Sequence, residues 1–162
     1  AHPGHKDKVA VDLNQAIETT ITVAQYEWRN VADVVTSCAR NLPLVTCHVD
    51  EINQVVLNLL LNAIQAVREK NAGTTARGRI TVGTRRAGRY AEVWIQDTGT
   101  GIPEAVLPHI FEPFFTTKDV GQGTGQGLSH ARTVIVEGHG GDIGVDSHPH
   151  GTTFTVRLPI DT

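Results

Sequence analysis

The chain has 162 residues, of which 40% are hydrophobic and 19% are charged, and its formal net charge at pH 7 is −3. This length supports one domain with a hydrophobic core, and the charge balance gives no reason to expect a nucleic-acid partner. No apolar run approaches the roughly 20 residues of a membrane span, so we expect no membrane contact by this domain. Two cysteines without metal-ligand spacing are expected to be reduced thiols, which favours a cytoplasmic protein.

The first half of the chain predicts two helices separated by β-branched segments. Apolar residues at helical spacing over residues 11–26 predict the first helix, and Asp12 can cap its N-terminus. Two short β-branched stretches follow within residues 33–48. The segment 50–70 predicts the clearest helix, because apolar side chains recur along one side of it. These side chains are Ile52, Val55, Val56, Leu59, Ala63 and Val67.

The second half predicts strands joined by turns, with helical segments inserted between them. In chain order these are strands 79–86 and 90–97 around a turn at Gly88, a short helix at 103–111, a long loop at 112–127, a helix at 128–139, and closing strands at 142–147 and 152–159. The arginines between Arg77 and Arg89, with no acid among them, are interpreted as a solvated hairpin.

Strands that pair through hairpins, with helices between them, favour an α+β fold. The expected architecture is a two-layer sandwich with the helices on one face of the sheet. Residues 1–9 begin with a polar stretch and are expected to be a linker or a cloning remnant. Residues 10–162 are then one continuous domain.

Two asparagines interrupt the otherwise apolar helix of residues 50–70. Asn58 and Asn62 are four residues apart and therefore share one face. One interpretation is structural, in which both amides bond a neighbouring backbone. The other is that an amide oxygen serves as a ligand for a hard cation. Magnesium suits such a site, because it takes few protein ligands and bridges to phosphate oxygens.

The stretch DTGTGI, residues 97–102, places a carboxylate at the end of a predicted strand and two glycines directly after it. An ionised Asp97 accepts hydrogen bonds only, so an exocyclic amino group such as adenine N6 is a natural partner. Gly99 and Gly101 would let the backbone wrap around a base. The structural alternative is that Asp97 caps the short helix that follows.

A second glycine cluster, GQGTGQG at residues 121–127, runs directly into the predicted helix of residues 128–139. The first amides of a helix have no partner within it, and its dipole is positive there, so this position suits a phosphate. The cluster matches neither the Walker lysine loop nor the dinucleotide-binding fingerprint. Alone it is a weak signal.

Four segments in this order carry a resemblance to a known family. NLLLNAIQA, DTGTGI, IFEPFFTTK and GTGQGL are similar to the four boxes of the ATP-binding domain of sensor histidine kinases, in the GHKL or Bergerat superfamily. The phrase FEPFFTTK resembles the nitrogen-regulation-like subgroup. The resemblance runs from about residue 10 to residue 159. It implies a mixed five-stranded sheet under about three helices, with ATP between the helix layer and a mobile lid.

The resemblance also implies roles for individual residues. Asn62 stands where the family holds magnesium, Asn58 lies one turn earlier, and Lys118 is placed to reach the phosphates, so these three are the implied catalytic residues. Asp97 stands where the family recognises adenine N6, and Thr152 supplies a hydroxyl that shares a water with that carboxylate. The other implied contacts to the nucleotide are Ala66, Gly99, Gly101, Ile102, Phe115, Thr117, Gly123, Thr124, Gly125, Gly127 and Leu128. Gln126 departs from the leucine usual at its position.

By resemblance, the chain is the catalytic domain of a two-component sensor histidine kinase. Its implied cofactors are ATP and magnesium, and its implied partners are a dimerisation module that bears the acceptor histidine and a response regulator. None of the eight histidines in the chain has the flanking residues of such an acceptor. The full protein is expected to be a homodimer. Two alternatives remain: a nucleotide-dependent switch of the anti-sigma type, and a degenerate domain that binds ATP only to change shape.

Overall fold

The structure is a computed structural model that describes residues 7–113 and 127–160. It contains seven strands and four α-helices within those ranges. In chain order they are β1 (Val9–Val11), α1 (Leu13–Val23), α2 (Gln25–Trp28), β2 (Ala32–Ser37), β3 (Val45–Cys47), α3 (Val49–Lys70), β4 (Gly78–Ala87), β5 (Tyr90–Asp97), α4 (Gly127–Arg132), β6 (Asp142–His148) and β7 (Gly151–Pro159).

The main sheet is mixed and five-stranded, with the order β2-β4-β5-β7-β6. The β2–β4 pair is parallel, and the three other pairs are antiparallel. Side chains on β5 alternate, and Ala91, Val93 and Ile95 lie in the core with the helices. The predicted α+β sandwich with a mixed five-stranded sheet is therefore confirmed, as is the hairpin turn at Gly88, whose φ is +62°.

Helix α3 forms where the apolar stripe predicted it, and all six predicted side chains are buried. The stripe buries two further residues, Leu60 and Ile64. Asp50 and Glu51 lie in the first turn and Arg68 and Lys70 in the last, which matches the sign of the helix dipole at both ends. Because α3 packs on β4 and β5, it carries its two asparagines to the edge of the core.

One short strand near the N-terminus was not predicted. Strand β1 pairs antiparallel with β3, so that Val9 lies opposite Cys47 in a separate two-stranded sheet. Helix α1 then begins after Asp12, whose carboxylate accepts a hydrogen bond from the Gln15 backbone N–H at 3.3 Å. The predicted cap is thus confirmed, and the predicted helix over residues 11–26 is divided into α1 and α2 by a break at Ala24.

Two predicted helices differ from what forms. Residues 103–111 were predicted to be a short helix, but only Leu107–His109 is helical, as a single 3-10 turn. Pro108 lacks the backbone N–H that an α-helix needs there, so the segment remains a series of turns. The helix after the glycine cluster forms over its predicted length, but its middle, Thr133–Glu137, is a π-helix.

The face of the sheet opposite the helices carries a row of alternating charge. Glu92 is buried between two arginines: Arg157 Nε lies 2.9 Å from one carboxylate oxygen, and Arg85 Nε bonds the other. The arginines between Arg77 and Arg89 are solvent-exposed, as predicted for a solvated hairpin. The edge strands β2 and β6 expose aspartates on this face, namely Asp33, Asp142 and Asp146.

Both cysteines, Cys38 and Cys47, are free thiols, as predicted. Burial raises the pKa of Cys47 to about 11. Of the helices in the described part of the chain, none combines the length and apolar character that a bilayer span requires.

Candidate functional site

The candidate site is a row of side chains that crosses three strands on the helix-covered face of the sheet. Asp97 ends β5 and lies opposite Thr152 on β7, and Thr152 in turn lies opposite Ser147 on β6. On its other side Asp97 faces the buried Ile80 of β4. The row therefore changes from apolar to polar at Asp97, which is the first polar group beside the core.

Asp97 is a buried carboxylate, with only 5% of its surface exposed. Its Oδ1 accepts a hydrogen bond from the Gly99 backbone N–H at 2.8 Å. Burial raises the pKa of Asp97, while hydrogen bonds from the backbone N–H groups of Gly99 and Thr152 and the charge of His148 lower it to a smaller extent. A carboxylate has room for about four hydrogen bonds, so these two backbone donors leave acceptor capacity for a ligand.

The loop after Asp97 is fitted against two neighbouring elements. Gly99 lies against Ala66 of α3, and an added Cβ at Gly99 would come within 2.6 Å of the Ala66 Cβ. Gly101 has φ +75°, and a Cβ there would overlap the carbonyl oxygen of His148. The Ile102 N–H donates to Ser147 Oγ at 2.7 Å. The structure thus brings the predicted residues Ala66, Asp97, Gly99, Gly101 and Ile102 together where the end of β5 meets α3.

The polar face of α3 continues from this point. Asn62 is half-buried and lies four residues before Ala66, which is about 6 Å along the helix axis. Asn58 lies one turn further, and its Oδ1 accepts a hydrogen bond from Gln54 Nε2 at 3.0 Å. A ligand held by Asp97 could therefore extend along α3 past Asn62 and then Asn58.

The donor chemistry at this face can be tested against magnesium. No cluster of three or more His, Cys, Asp or Glu side chains that could hold a metal occurs within residues 7–113 and 127–160. A metal site built from three or more of these side chains is therefore absent from that part of the chain. The half-buried amide oxygen of Asn62 fits a magnesium ion held mainly by phosphate oxygens and water, which is the usual coordination of this ion.

The phosphate side of the predicted site is described only in part. Gly127 begins α4 and is exposed, and Leu128 is half-buried against the core. Helix α4 packs on α3, so the end of the glycine cluster lies beside the helix that carries the asparagines. The other residues named from the resemblance lie outside the described residues: Phe115, Thr117, Lys118, Gly123, Thr124, Gly125 and Gln126.

A buried histidine joins the two helices that border the site. His139 lies at the end of the helix that begins with α4, and its Nδ1 lies 2.8 Å from the Val134 carbonyl oxygen. Its Nε2 accepts a hydrogen bond from the His48 backbone N–H, at the start of α3, at 3.1 Å. These two bonds require a neutral ring that is protonated on Nδ1. Burial, as the main cause, lowers the pKa of His139.

Sequence reasoning missed one member of the polar row, Ser147. This half-buried side chain contacts both Ile102 and Thr152, although it lies in a strand with no recognisable motif. The sequence Asp-Ser-His, residues 146–148, did contain a hint of Ser147's position, because a small hydroxyl residue stands there between two larger polar residues. It becomes informative only when the register of β6 against β7 is known.

The site combines a buried carboxylate beside a glycine turn with a helix that presents amide oxygens. That helix packs on a second helix, which follows a glycine cluster. These features are typical of a nucleotide-binding domain of the two-layer sandwich class. The chain belongs to the family described as Histidine kinase-, DNA gyrase B-, and HSP90-like ATPase, whose sequence model matches residues 47–162. As a member of this ATPase family, the domain takes ATP as its substrate.

The relatives of the chain are bacterial histidine kinases. The signal transduction histidine-protein kinase AtoS of Escherichia coli (strain K12) is 35% identical over 164 residues, covering 99% of this chain and 25% of AtoS. The sensory histidine kinase/phosphatase NtrB of Rhizobium leguminosarum bv. phaseoli is 35% identical over 161 residues, covering 94% of this chain and 41% of NtrB. The chain therefore spans less than half the length of these two relatives.

Solved structures show the same fold. The catalytic domain of histidine kinase ThkA superposes with a TM-score of 0.81 at 29% identity, over 95% of this chain and 98% of that domain. In a second structure ThkA is in complex with the response regulator TrrA, with a TM-score of 0.77 at 26% identity, over 95% of this chain and 42% of that one. The predicted membership of the histidine kinase ATPase family is confirmed.

Proposed function

We propose that residues 10–162 bind Mg–ATP and donate its γ-phosphoryl group to a histidine on a separate dimerisation module of a two-component sensor kinase. The observation that carries the ligand assignment is the buried Asp97 carboxylate, which has spare acceptor capacity and lies opposite the Thr152 hydroxyl. The relatives named above, which are sensor kinases, support the reaction.

Asp97 determines the choice of base in this proposal. Its carboxylate accepts a hydrogen bond from the exocyclic amino group of adenine, whereas guanine presents a carbonyl oxygen at the same place. Two acceptors facing each other in a buried site repel and leave both unpaired, so GTP binds poorly. Gly99 and Ala66 leave the base a smooth wall, because neither side chain extends beyond a methyl group.

The metal belongs to the phosphate end of the ligand. Asn62 would hold magnesium through its amide oxygen, and the bound ion would neutralise charge on the phosphate oxygens. Lys118 and the backbone amides of Gly123, Gly125 and Gly127 are proposed to hold the phosphates from the other side. Asn58, one turn before Asn62, is proposed to orient a water molecule or the metal.

The transfer itself needs positioning more than covalent help from this domain. The bond between the γ-phosphorus and the β–γ bridging oxygen breaks, and ADP keeps that electron pair. A ring nitrogen of the acceptor histidine forms the new bond to phosphorus. The domain contributes orientation of the nucleotide and compensation of its charge, and the acceptor module contributes the nucleophile and the base that takes its proton.

A phosphotransfer assay tests this proposal. The domain is incubated with radiolabelled ATP and magnesium, alone and together with the dimerisation module of its own full-length protein. We expect acid-labile label on the module only, because none of the histidines of this chain has the flanking residues of an acceptor. Acid-labile label on the 162-residue chain alone would contradict the proposed division of roles.

The assay also separates the alternatives, with Asp97→Asn as the control that removes nucleotide recognition. A nucleotide-dependent switch of the anti-sigma type would bind ATP and transfer no phosphate to the module. A degenerate domain would bind ATP and change shape without transfer or hydrolysis. Transfer that depends on Asp97 would exclude both. The same proposal includes a response regulator as partner, a homodimeric full-length protein and a cytoplasmic location. The structure of ThkA in complex with the response regulator TrrA supports the proposed partner.

A further inference from the structure

Ser147 occupies the outer end of the polar row and makes three contacts there. Its Oγ accepts a hydrogen bond from the Ile102 N–H at 2.7 Å. The same oxygen lies 2.9 Å from Thr152 Oγ1 and 3.4 Å from the Gly151 carbonyl oxygen. Ser147 therefore links the loop after Asp97 to the hydroxyl that stands opposite the Asp97 carboxylate.

The distances favour one position for the single hydroxyl hydrogen of Ser147. Hydrogen bonds between two oxygens are usually about 2.5–3.0 Å long, which the contact to Thr152 satisfies and the contact to Gly151 does not. Ser147 Oγ accepts from the Ile102 N–H, and either hydroxyl could donate across the contact to Thr152. The only other acceptor for the Ser147 hydrogen, the Gly151 carbonyl oxygen, is 3.4 Å away, which favours Ser147 as the donor to Thr152. The hydrogen bonds then run in one direction, from the Ile102 amide through Ser147 to Thr152.

This direction leaves Thr152 with its own hydrogen to donate. Thr152 is 3% exposed and lies opposite Asp97 on the helix-covered face of the sheet, so its hydrogen can be directed toward a ligand that Asp97 binds. If Ser147 instead donated to Gly151, Thr152 would donate to Ser147 and present only lone pairs to the pocket. The orientation of the Ser147 hydroxyl thus decides whether the pocket offers a donor or an acceptor at this position.

The same conclusion holds if one water molecule stands between Thr152 and the ligand. A water that accepts from Thr152 has two hydrogens left, one for the Asp97 carboxylate and one for the ligand. A water that donates to Thr152 and to Asp97 has only lone pairs left for the ligand. In both arrangements the ligand meets a donor when Ser147 donates to Thr152, and an acceptor when it does not.

We propose that Ser147 is a positioning residue for base specificity, which makes Thr152 present a hydrogen-bond donor next to the acceptor of Asp97. An acceptor and a donor side by side match the amino group and the adjacent ring nitrogen N1 of adenine. The inference rests on the proposed function, because it assumes that Asp97 binds the adenine amino group. Ser147 itself touches no part of the ligand and acts through Thr152.

The test compares ATP with 1-deaza-ATP, in which a C–H group replaces N1 and removes the acceptor. Calorimetry gives the ratio of the two dissociation constants for the wild type and for Ser147→Ala, Ser147→Thr and Thr152→Val. For the wild type we expect 1-deaza-ATP to bind about three- to tenfold more weakly, the usual effect of one neutral hydrogen bond. Ser147→Ala removes the hydrogen bond that fixes the Thr152 hydroxyl, which can then donate to Asp97 opposite it instead of to the ligand, so the ratio should fall toward one.

The other variants separate positioning from loss of structure. Ser147→Thr keeps the hydroxyl on a residue suited to a strand, and it should keep the wild-type ratio. Thr152→Val removes the donor, so it should lower the ratio as Ser147→Ala does, and the double variant should lower it no further. Thr155→Ala removes a hydroxyl of β7 on the opposite face of the sheet and is the matched control. It should unfold cooperatively and keep the wild-type ratio of the two dissociation constants.

The outcomes are distinguishable. A wild type that does not bind ATP would overturn the proposed function and this inference with it. A wild type that binds ATP while Ser147→Ala keeps the full preference over 1-deaza-ATP would overturn the inference alone. Equal binding of the two nucleotides by the wild type would also overturn it, because Thr152 would then offer no donor.

Discussion

Replacing Asp97 by Asn should stabilise the nucleotide-free domain and weaken its binding of ATP. Asp97 is buried, and burial raises its pKa. A carboxyl group with a raised pKa contributes stability that is fully present below its ordinary pKa of 3.8 and is lost as the pH rises through its pKa in the folded protein. At neutral pH the ionised carboxylate therefore lowers the free energy of unfolding, and the neutral Asn amide avoids this cost.

The loss of ATP affinity in Asp97→Asn can be estimated from the proposed hydrogen bond between the Asp97 carboxylate and adenine. A hydrogen bond to a charged group contributes about 1.5–3 kcal/mol, which is roughly one to two decades of affinity. ATP at a concentration of about 100 times its Kd stabilises the wild type by about 2.7 kcal/mol. At the same ATP concentration the variant would keep only about 0.4–1.4 kcal/mol of that stabilisation.

Thermal unfolding with and without Mg–ATP measures both effects. For a domain of this size 1 kcal/mol corresponds to about 2–4 °C in Tm, so ATP should raise the Tm by about 5–11 °C in the wild type and about 1–6 °C in Asp97→Asn. Without nucleotide the variant should have the higher Tm at pH 7, and the advantage should shrink toward pH 4. A variant that is less stable without nucleotide and keeps the wild-type shift with ATP would refute the reasoning about Asp97.

Three further variants test other parts of the structure. Asn62→Ala should reduce the dependence of ATP affinity on magnesium and leave adenosine binding unchanged, which titration calorimetry with and without magnesium would measure. Gly101→Ala should destabilise the domain and weaken adenosine binding about tenfold or more, because its φ is +75° and the new Cβ would overlap the His148 carbonyl oxygen; a wild-type Tm would contradict this. His139 has a pKa lowered by burial, so its contribution to the free energy of unfolding is present above pH 6.5 and is lost as the pH falls below it. Urea unfolding between pH 5 and pH 8 should show that loss in the wild type and a smaller one in His139→Gln.

Much of the fold could be predicted because its signals are local. The stripe on α3 and the turn at Gly88 each depend on residues close together in sequence, and both predictions are confirmed. Strand β1 was missed because its partner β3 lies more than thirty residues further along the chain. Three residues are also too few to show an alternating pattern.

In the candidate site, too, residues close together in sequence could be predicted, and a contact that depends on strand pairing could not. Asp97, Gly99 and Gly101 belong to one short motif, so their proximity in the structure follows from the sequence alone. Ser147 could not be found, because its contact with Ile102 depends on the register of β6 against β7 and of β7 against β5. A shift of one residue in either pairing would turn Ser147 or Thr152 to the opposite face.

The aspartates on the two edge strands have a consequence for self-association. A five-stranded open sheet presents unpaired backbone groups along β2 and β6, and such edges can recruit strands from other copies and lead to aggregation. Asp142 and Asp146 are exposed on β6, so two copies that meet through this edge bring like charges next to each other, whereas Asp33 on β2 is paired with Arg77 at 3.0 Å. Neutralising Asp142 and Asp146 with Asn should therefore lower the solubility limit of the purified domain, even though both side chains are exposed and lie outside the core.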